Sequence, residues 1–130
     1  MIEFKLWKTI SLFGTKKQMD RKQIEKVIRI YLGDLAKKIK IEKAILFGSA
    51  ARGKIRKDSD IDLLVLSSSF ANLPDDQRFD LLYTARNNEA TQAAPMDIFG
   101  LTPQEYSQAG ALSITAEIKE TGKEVFSSHR

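Results

Sequence analysis

The stretch from residue 44 to residue 66 constrains the fold more than any other part of the chain. Ala44-Ile45-Leu46-Phe47 is a continuous apolar run that stops at Gly48, the pattern of a short buried strand. A second apolar run, Leu63-Leu64-Val65-Leu66, is opened by Asp60-Ile61-Asp62, so two carboxylates begin a strand over 60–67. Side chains alternate along a strand with period two, which puts Asp60 and Asp62 on one face. Their Cα atoms then lie roughly 6 to 7 Å apart, a spacing that suits one shared divalent ion or two neighbouring ones. Acids on a strand that buries itself are costly unless something positive compensates. Metal and phosphate chemistry would supply that compensation.

The flanking sequence places this pair in a small α/β (α+β) domain. Asp20 and Gln23 form a capping-box pattern, and Ile24, Val27, Ile28, Tyr31, Leu35 and Ile39 recur at helical spacing, which predicts an amphipathic helix over 21–40. Gly33 inside it costs about 1 kcal/mol relative to Ala. Residues 49–53 read as a turn or short helix and 54–59 as a basic loop. Pro74, Asp75 and Asp76 open a helix over 75–88 with Phe79, Leu82 and Tyr83 on one face. Asn87-Asn88 and Pro95 break the chain before a third strand at 96–101. Thr102 and Glu105 repeat the capping box for a short helix, 112–120 reads as a last helix, and 124–126 as a terminal strand. The expectation is a small mixed sheet of three to five strands with about four helices. Residues 1–18, where Phe4, Leu6 and Ile10 alternate loosely with polar residues, read as an extension that is either a strand or a short helix.

Composition excludes several kinds of chemistry. At 130 residues one domain is expected. No cysteine is present, which excludes disulfides and thiolate metal sites and fits the cytoplasm. The single histidine is His129, beside the end of the sequence, so histidine catalysis and most zinc sites are not expected. No apolar run approaches the roughly 18 residues of a membrane span, and 1–14 lacks the long apolar core of a secretion signal. The net charge of +4 hides a division: residues 1–57 hold 16 Lys/Arg against 5 Asp/Glu, and residues 58–130 hold 5 against 12. Solvated helix faces explain this division, as does a basic side that attracts polyphosphate or RNA. No basic motif with interleaved aromatics is present, which argues against a dedicated nucleic-acid-binding module.

Two common motifs fail on the central stretch. Asp58-x-Asp60-x-Asp62 begins like a calcium loop, but Leu63 and Ser69 stand where Gly and Glu are required. Residues 48–53 lack the Gly-Lys-Ser/Thr ending of a P-loop. A Gly48-Ser49 turn after a buried strand does offer backbone N–H groups and a hydroxyl to a phosphate oxygen. Arg52 adds a forked guanidinium contact or else pairs with a surface acid. Asp60 and Asp62 would ligate magnesium, an oxygen-seeking ion that bridges carboxylates to substrate phosphates. Asp97, flanked by apolar Met96 and Ile98, is the candidate third acid; alone, pairing with a basic side chain would explain it equally.

Gly48-Ser49, ten intervening residues and then Asp60-Ile61-Asp62 resemble the signature of the minimal nucleotidyltransferases, small members of the polymerase-beta-like superfamily. Ala51-Arg52-Gly53 and Ser59 match the same pattern, and Asp97 fits its third carboxylate. The resemblance covers about residues 20–126 and divides the chain into an N-terminal extension, 1–19, and a minimal nucleotidyltransferase domain, 20–130. It implies the polymerase-beta-like fold, with Gly48, Ser49, Arg52 and Ser59 on the nucleotide. It also implies two magnesium ions held by Asp60, Asp62 and Asp97, ATP as substrate, and displacement of pyrophosphate by an acceptor hydroxyl. Asp97 would also accept the hydroxyl proton. Free-standing members of this size are typically paired with a HEPN-domain RNase toxin, which implies an antitoxin that transfers AMP to a tyrosine of that partner. Neutralisation by binding alone and modification of a small-molecule hydroxyl remain the alternatives.

Overall fold

A computed structural model describes residues 19–53, 60–110 and 114–128. Helix α1 (Arg21–Leu35) starts where Asp20 accepts from the Gln23 backbone at 2.9 Å, and the Gln23 side chain accepts from the Asp20 backbone at 2.8 Å. This reciprocal pair satisfies two of the donors that a helix start leaves open. The helix ends five residues earlier than its apolar periodicity predicts, and Ile39 packs into the core from the turn that follows.

Strand β1 (Lys43–Phe47) leads into a single helical turn, α2 (Gly48–Ala51). Strand β2 (Ile61–Leu66) follows, then a 3₁₀ turn (Ser68–Phe70), α3 (Asp75–Thr84), α4 (Glu89–Ala93) and β3 (Met96–Leu101). Thr102 and Glu105 form the expected capping box of α5 (Pro103–Gln108), and α6 (Ile114–Thr121) and β4 (Lys123–Ser127) complete the order. The sheet runs β3-β2-β1-β4: β1 is antiparallel to β2 and β4, and β2 is parallel to β3. The parallel pair is joined through α3 and α4, the length of crossover that parallel strands require. The fold class is therefore as expected, a mixed α/β sheet, with six α-helices among the described residues rather than four. The additions are short: α2 is one turn, and α4 is nucleated by the Asn88 side chain, which accepts from the Ala90 backbone.

Alternation along the strands splits the core in two. Ala44, Leu46, Leu63, Val65, Met96 and Ile98 point to one face and pack with α1, Phe70 and Leu82. Ile45, Phe47, Leu64 and Leu66 point to the other and pack on Ile118 of α6, with Leu101 and Tyr106 beside them. The first layer is broad and holds most of the buried apolar surface, the dominant favourable term in folding. The second is narrow and ends at buried Phe47, half-buried Asp62 and exposed Asp97.

Candidate active site

Asp62 and Asp97 are lateral partners in the parallel β2/β3 register, on strands about 4.8 Å apart. Asp62 has the parity of Leu64 and Leu66, and Asp97 that of Phe99 and Leu101, so both carboxylates lie on the α6 side. Across the sheet from Asp62 stands Phe47, whose ring meets Phe99 at 5.9 Å in a tilted pair. This aromatic contact forms an apolar floor beside the acids; Phe99 itself remains 42% exposed.

The turn after β1 is fitted to Asp62. Gly48 has φ +74, a conformation that side-chain-bearing residues adopt only at a cost. A Cβ at this position would also overlap the Asp62 carboxylate. The backbone at Gly48 thus lies directly against an acid, and only glycine allows that approach. Phe47 is extended and Gly48 begins α2, which places Ser49 in the first helical turn beside the carboxylate end of the sheet.

Negative charge accumulates here. The Asp62 carboxyl is pushed up from 3.8 to about 6, first by partial burial and then by Asp97, Asp60 and Glu117. Of these, Glu117 has no counterpart in the sequence reading. It is an exposed residue of α6, brought near Asp62 because Ile118 anchors that helix on Ile45, Phe47, Leu64 and Leu66. No local sequence signal marks it; only the packing of α6 on the sheet does.

Of the residues singled out from the sequence, Gly48, Ser49, Asp60, Asp62 and Asp97 fall at one end of the sheet. Asp60 is exposed just before β2, and Arg52 is exposed at the C-terminal end of α2. Ser59, with the rest of the loop 54–59, lies outside the described residues, as do residues 1–18. Among the described residues, no three acids, histidines or cysteines are gathered closely enough to enclose a metal ion. The oxygen-only donor pair Asp62/Asp97 nevertheless fits a hard cation, since such an ion would offset both the burial and the acid repulsion that raise the Asp62 carboxyl.

A four-stranded mixed sheet with acids at one end and a glycine turn against them is the polymerase-beta-like nucleotidyltransferase fold. The chain belongs to the polymerase beta, nucleotidyltransferase family, whose model matches residues 25–130. No curated protein matches it closely. Among solved structures, it resembles a protein provisionally assigned as a nucleotidyltransferase from Sulfolobus solfataricus. That likeness has a TM-score of 0.63 at 16% identity, over 83% of this chain and 84% of that one. A toxin–antitoxin complex with AMP-PNP gives a TM-score of 0.53 at 20% identity, over 85% and 75% of the two chains. A mutant toxin–antitoxin MntA–HpeT complex gives 0.51 at 17%, over 81% and 73%. At these identities the likeness is one of fold.

Proposed function

We propose that this protein is an antitoxin nucleotidyltransferase that moves AMP from ATP to a tyrosine hydroxyl of a partner HEPN-domain RNase toxin. The observation that carries the reading is the contact of the Gly48 turn with Asp62, itself in register with Asp97. It sets a phosphate-compatible backbone against a pair of metal-compatible carboxylates. The family supports nucleotidyl transfer, and the toxin–antitoxin neighbours support the partner. The two Asp-to-Glu substitutions in the MntA–HpeT neighbour stand two residues apart, the spacing of Asp60 and Asp62.

In this reading Asp60, Asp62 and Asp97 would hold two magnesium ions, and Gly48 and Ser49 would receive the triphosphate, with Arg52 and Ser59 as further nucleotide contacts. Bound magnesium would polarise the phosphate oxygens and lower the pKa of the acceptor hydroxyl. The tyrosine oxygen bonds to the α-phosphorus as the bond from that phosphorus to the bridging oxygen breaks. Pyrophosphate leaves with the electron pair, and Asp97 takes the hydroxyl proton. The acids position the reactants and would hold the cations that balance the phosphate charge, positioning and electrostatics being the main protein contribution in phosphoryl chemistry.

The test is incubation with α-labelled ATP, magnesium and the HEPN protein. The expected result is label on a partner tyrosine, lost with Asp62→Ala. Unlabelled partner in a complex that still forms would replace this reading with neutralisation by binding alone.

A further inference from the structure

Displacement at phosphorus puts the attacking and leaving oxygens in line, on opposite sides of the atom. With the triphosphate received at Gly48 and Ser49, as in the proposed function on which this inference rests, pyrophosphate leaves toward β1. The attacking hydroxyl then comes from the β3 side, because the strand order is β3-β2-β1 and Asp62 on β2 stands between the Gly48 turn and Asp97. Phe99 is two residues beyond Asp97 on the same face of β3, its Cα roughly 6 to 7 Å away. It is 42% exposed, and its ring meets buried Phe47 at 5.9 Å. An exposed aromatic ring therefore stands beside the acid that the hydroxyl must reach.

Phe99 also lines a cleft of about 320 Å³ between α3 and α6, together with Leu64, Phe79, Leu101, Thr115 and Ile118. Phe79 is 57% exposed and stacks on Tyr83 at 4.2 Å, so a second aromatic ring borders the cleft. The polar groups nearby are already engaged. The Ile98 N–H donates to the Tyr83 hydroxyl at 2.9 Å, and Arg78 donates to the Gly100 carbonyl at 3.2 Å. Arg78 is the one cation lining the cleft among the described residues, and Glu105 holds it at 2.7 and 3.0 Å. A purine edge needs hydrogen-bond partners and a phosphate needs a cation, whereas a phenol ring needs apolar walls and another ring to meet.

We propose that Phe99, with Phe79 on the same cleft, seats the aromatic ring of the acceptor, so that a phenolic hydroxyl reaches Asp97 along the face of β3. Apolar and aromatic contact holds the ring, and its oxygen lies outside the cleft on the side of the acids. Phe99 thereby determines specificity. It favours tyrosine over an aliphatic hydroxyl, such as that of serine or a sugar, which brings no ring to the cleft.

Kinetics of the full chain with α-labelled ATP and the HEPN protein separate the two substrates. Phe99→Ala should raise KM for the HEPN protein on the order of tenfold, the upper end of what an aromatic pair contributes, and leave KM for ATP unchanged. Phe99→Leu, which keeps an apolar side chain without the ring, should fall between. A readout independent of turnover is photocrosslinking from Phe99→p-benzoylphenylalanine, which should join this position to the partner segment carrying the tyrosine. A raised KM for ATP, or a crosslink to the nucleotide, would overturn the proposal and give the cleft to the base. Unchanged KM values in Phe99→Ala, with AMP transfer intact, would overturn the seat and leave the activity standing. No transfer by the unaltered chain, with the crosslink still at the tyrosine, would overturn the activity and uphold the seat.

Discussion

Asp62 and Glu105 are carboxylates on either side of β3, and their surroundings drive them in opposite directions. Glu105 receives Arg78 Nη1 and Nη2 at 2.7 and 3.0 Å and the Thr102 backbone N–H at 2.8 Å. The Arg78 bonds foremost hold its carboxyl down at about 2. Asp62 is partly buried among Asp97, Asp60 and Glu117, and its carboxyl is pushed up to about 6. In the first region the chain answers its own charge and gains a clamp between α3, β3 and α5. In the second, acids gather around Asp62, a cost that in the proposed reading serves a cation and a phosphate. The contrast separates a stabilising acid from one proposed to be functional, although both lie near the same strand.

Substitutions should break this contrast in order of size. Asp62→Ala and Asp60→Ala should lower AMP transfer by on the order of a hundredfold or more, the loss typical when one charge-stabilising group leaves an active site. Asp62→Asn should at the same time raise the melting temperature of the metal-free protein, because the repelled charge is gone. Gly48→Ala comes next. It forces a side chain into a left-handed conformation, costing about 1–2 kcal/mol, and displaces the Asp62 carboxylate. Transfer should fall toward the Asp62→Ala level, and denaturant unfolding should record the stability loss.

Arg78→Ala acts on the other side of the comparison. It strips donors from Glu105 and from the Leu73 and Gly100 carbonyls, so a loss of about 2 kcal/mol in denaturant unfolding is expected, with transfer per folded molecule unchanged. The smallest effect is the pH profile. A raised carboxyl penalises the charged folded state, so the Asp62 contribution to stability worsens as pH climbs from 3.8 through about 6. A lowered carboxyl favours the charged folded state, so the Glu105 contribution is complete above 4.5 and is lost as pH falls toward about 2. Metal-free melting temperatures should therefore contain a mildly acidic optimum from these two groups, flattened on its acidic side by Arg78→Ala and on its neutral side by Asp62→Asn.

Much of this architecture is legible in the sequence because its signals are local. The capping boxes at Asp20/Gln23 and Thr102/Glu105, the apolar runs of β1 and β2 and the Asp60/Asp62 spacing each lie within a few residues. Boundaries set by tertiary contacts are less legible. The helix predicted over 75–88 stops at Thr84; beyond it Arg86 bonds the Thr91 and Ala94 carbonyls and holds the α3–α4 turn. Phe79, expected on the core face of that helix, is exposed and stacks on Tyr83 at 4.2 Å. The pairing of Asp62 with Asp97 depends on strand order, and the approach of Glu117 depends on where α6 packs. Neither is written in a window of adjacent residues. The close contact of Gly48 with Asp62 is likewise absent from the Gly-Ser pattern, which suggests a turn offering N–H groups to a phosphate but not what the turn approaches.

In the proposed site, a bound cation balances the charge around Asp62. Melting temperature measured against magnesium concentration at pH 7.5 and pH 5, for the unaltered chain and Asp62→Asn, tests it directly. Magnesium should stabilise the unaltered chain at pH 7.5, much less at pH 5 where Asp62 is protonated, and Asp62→Asn least of all. Equal stabilisation of both proteins at pH 7.5, or none in either, would rule out a cation held by Asp62.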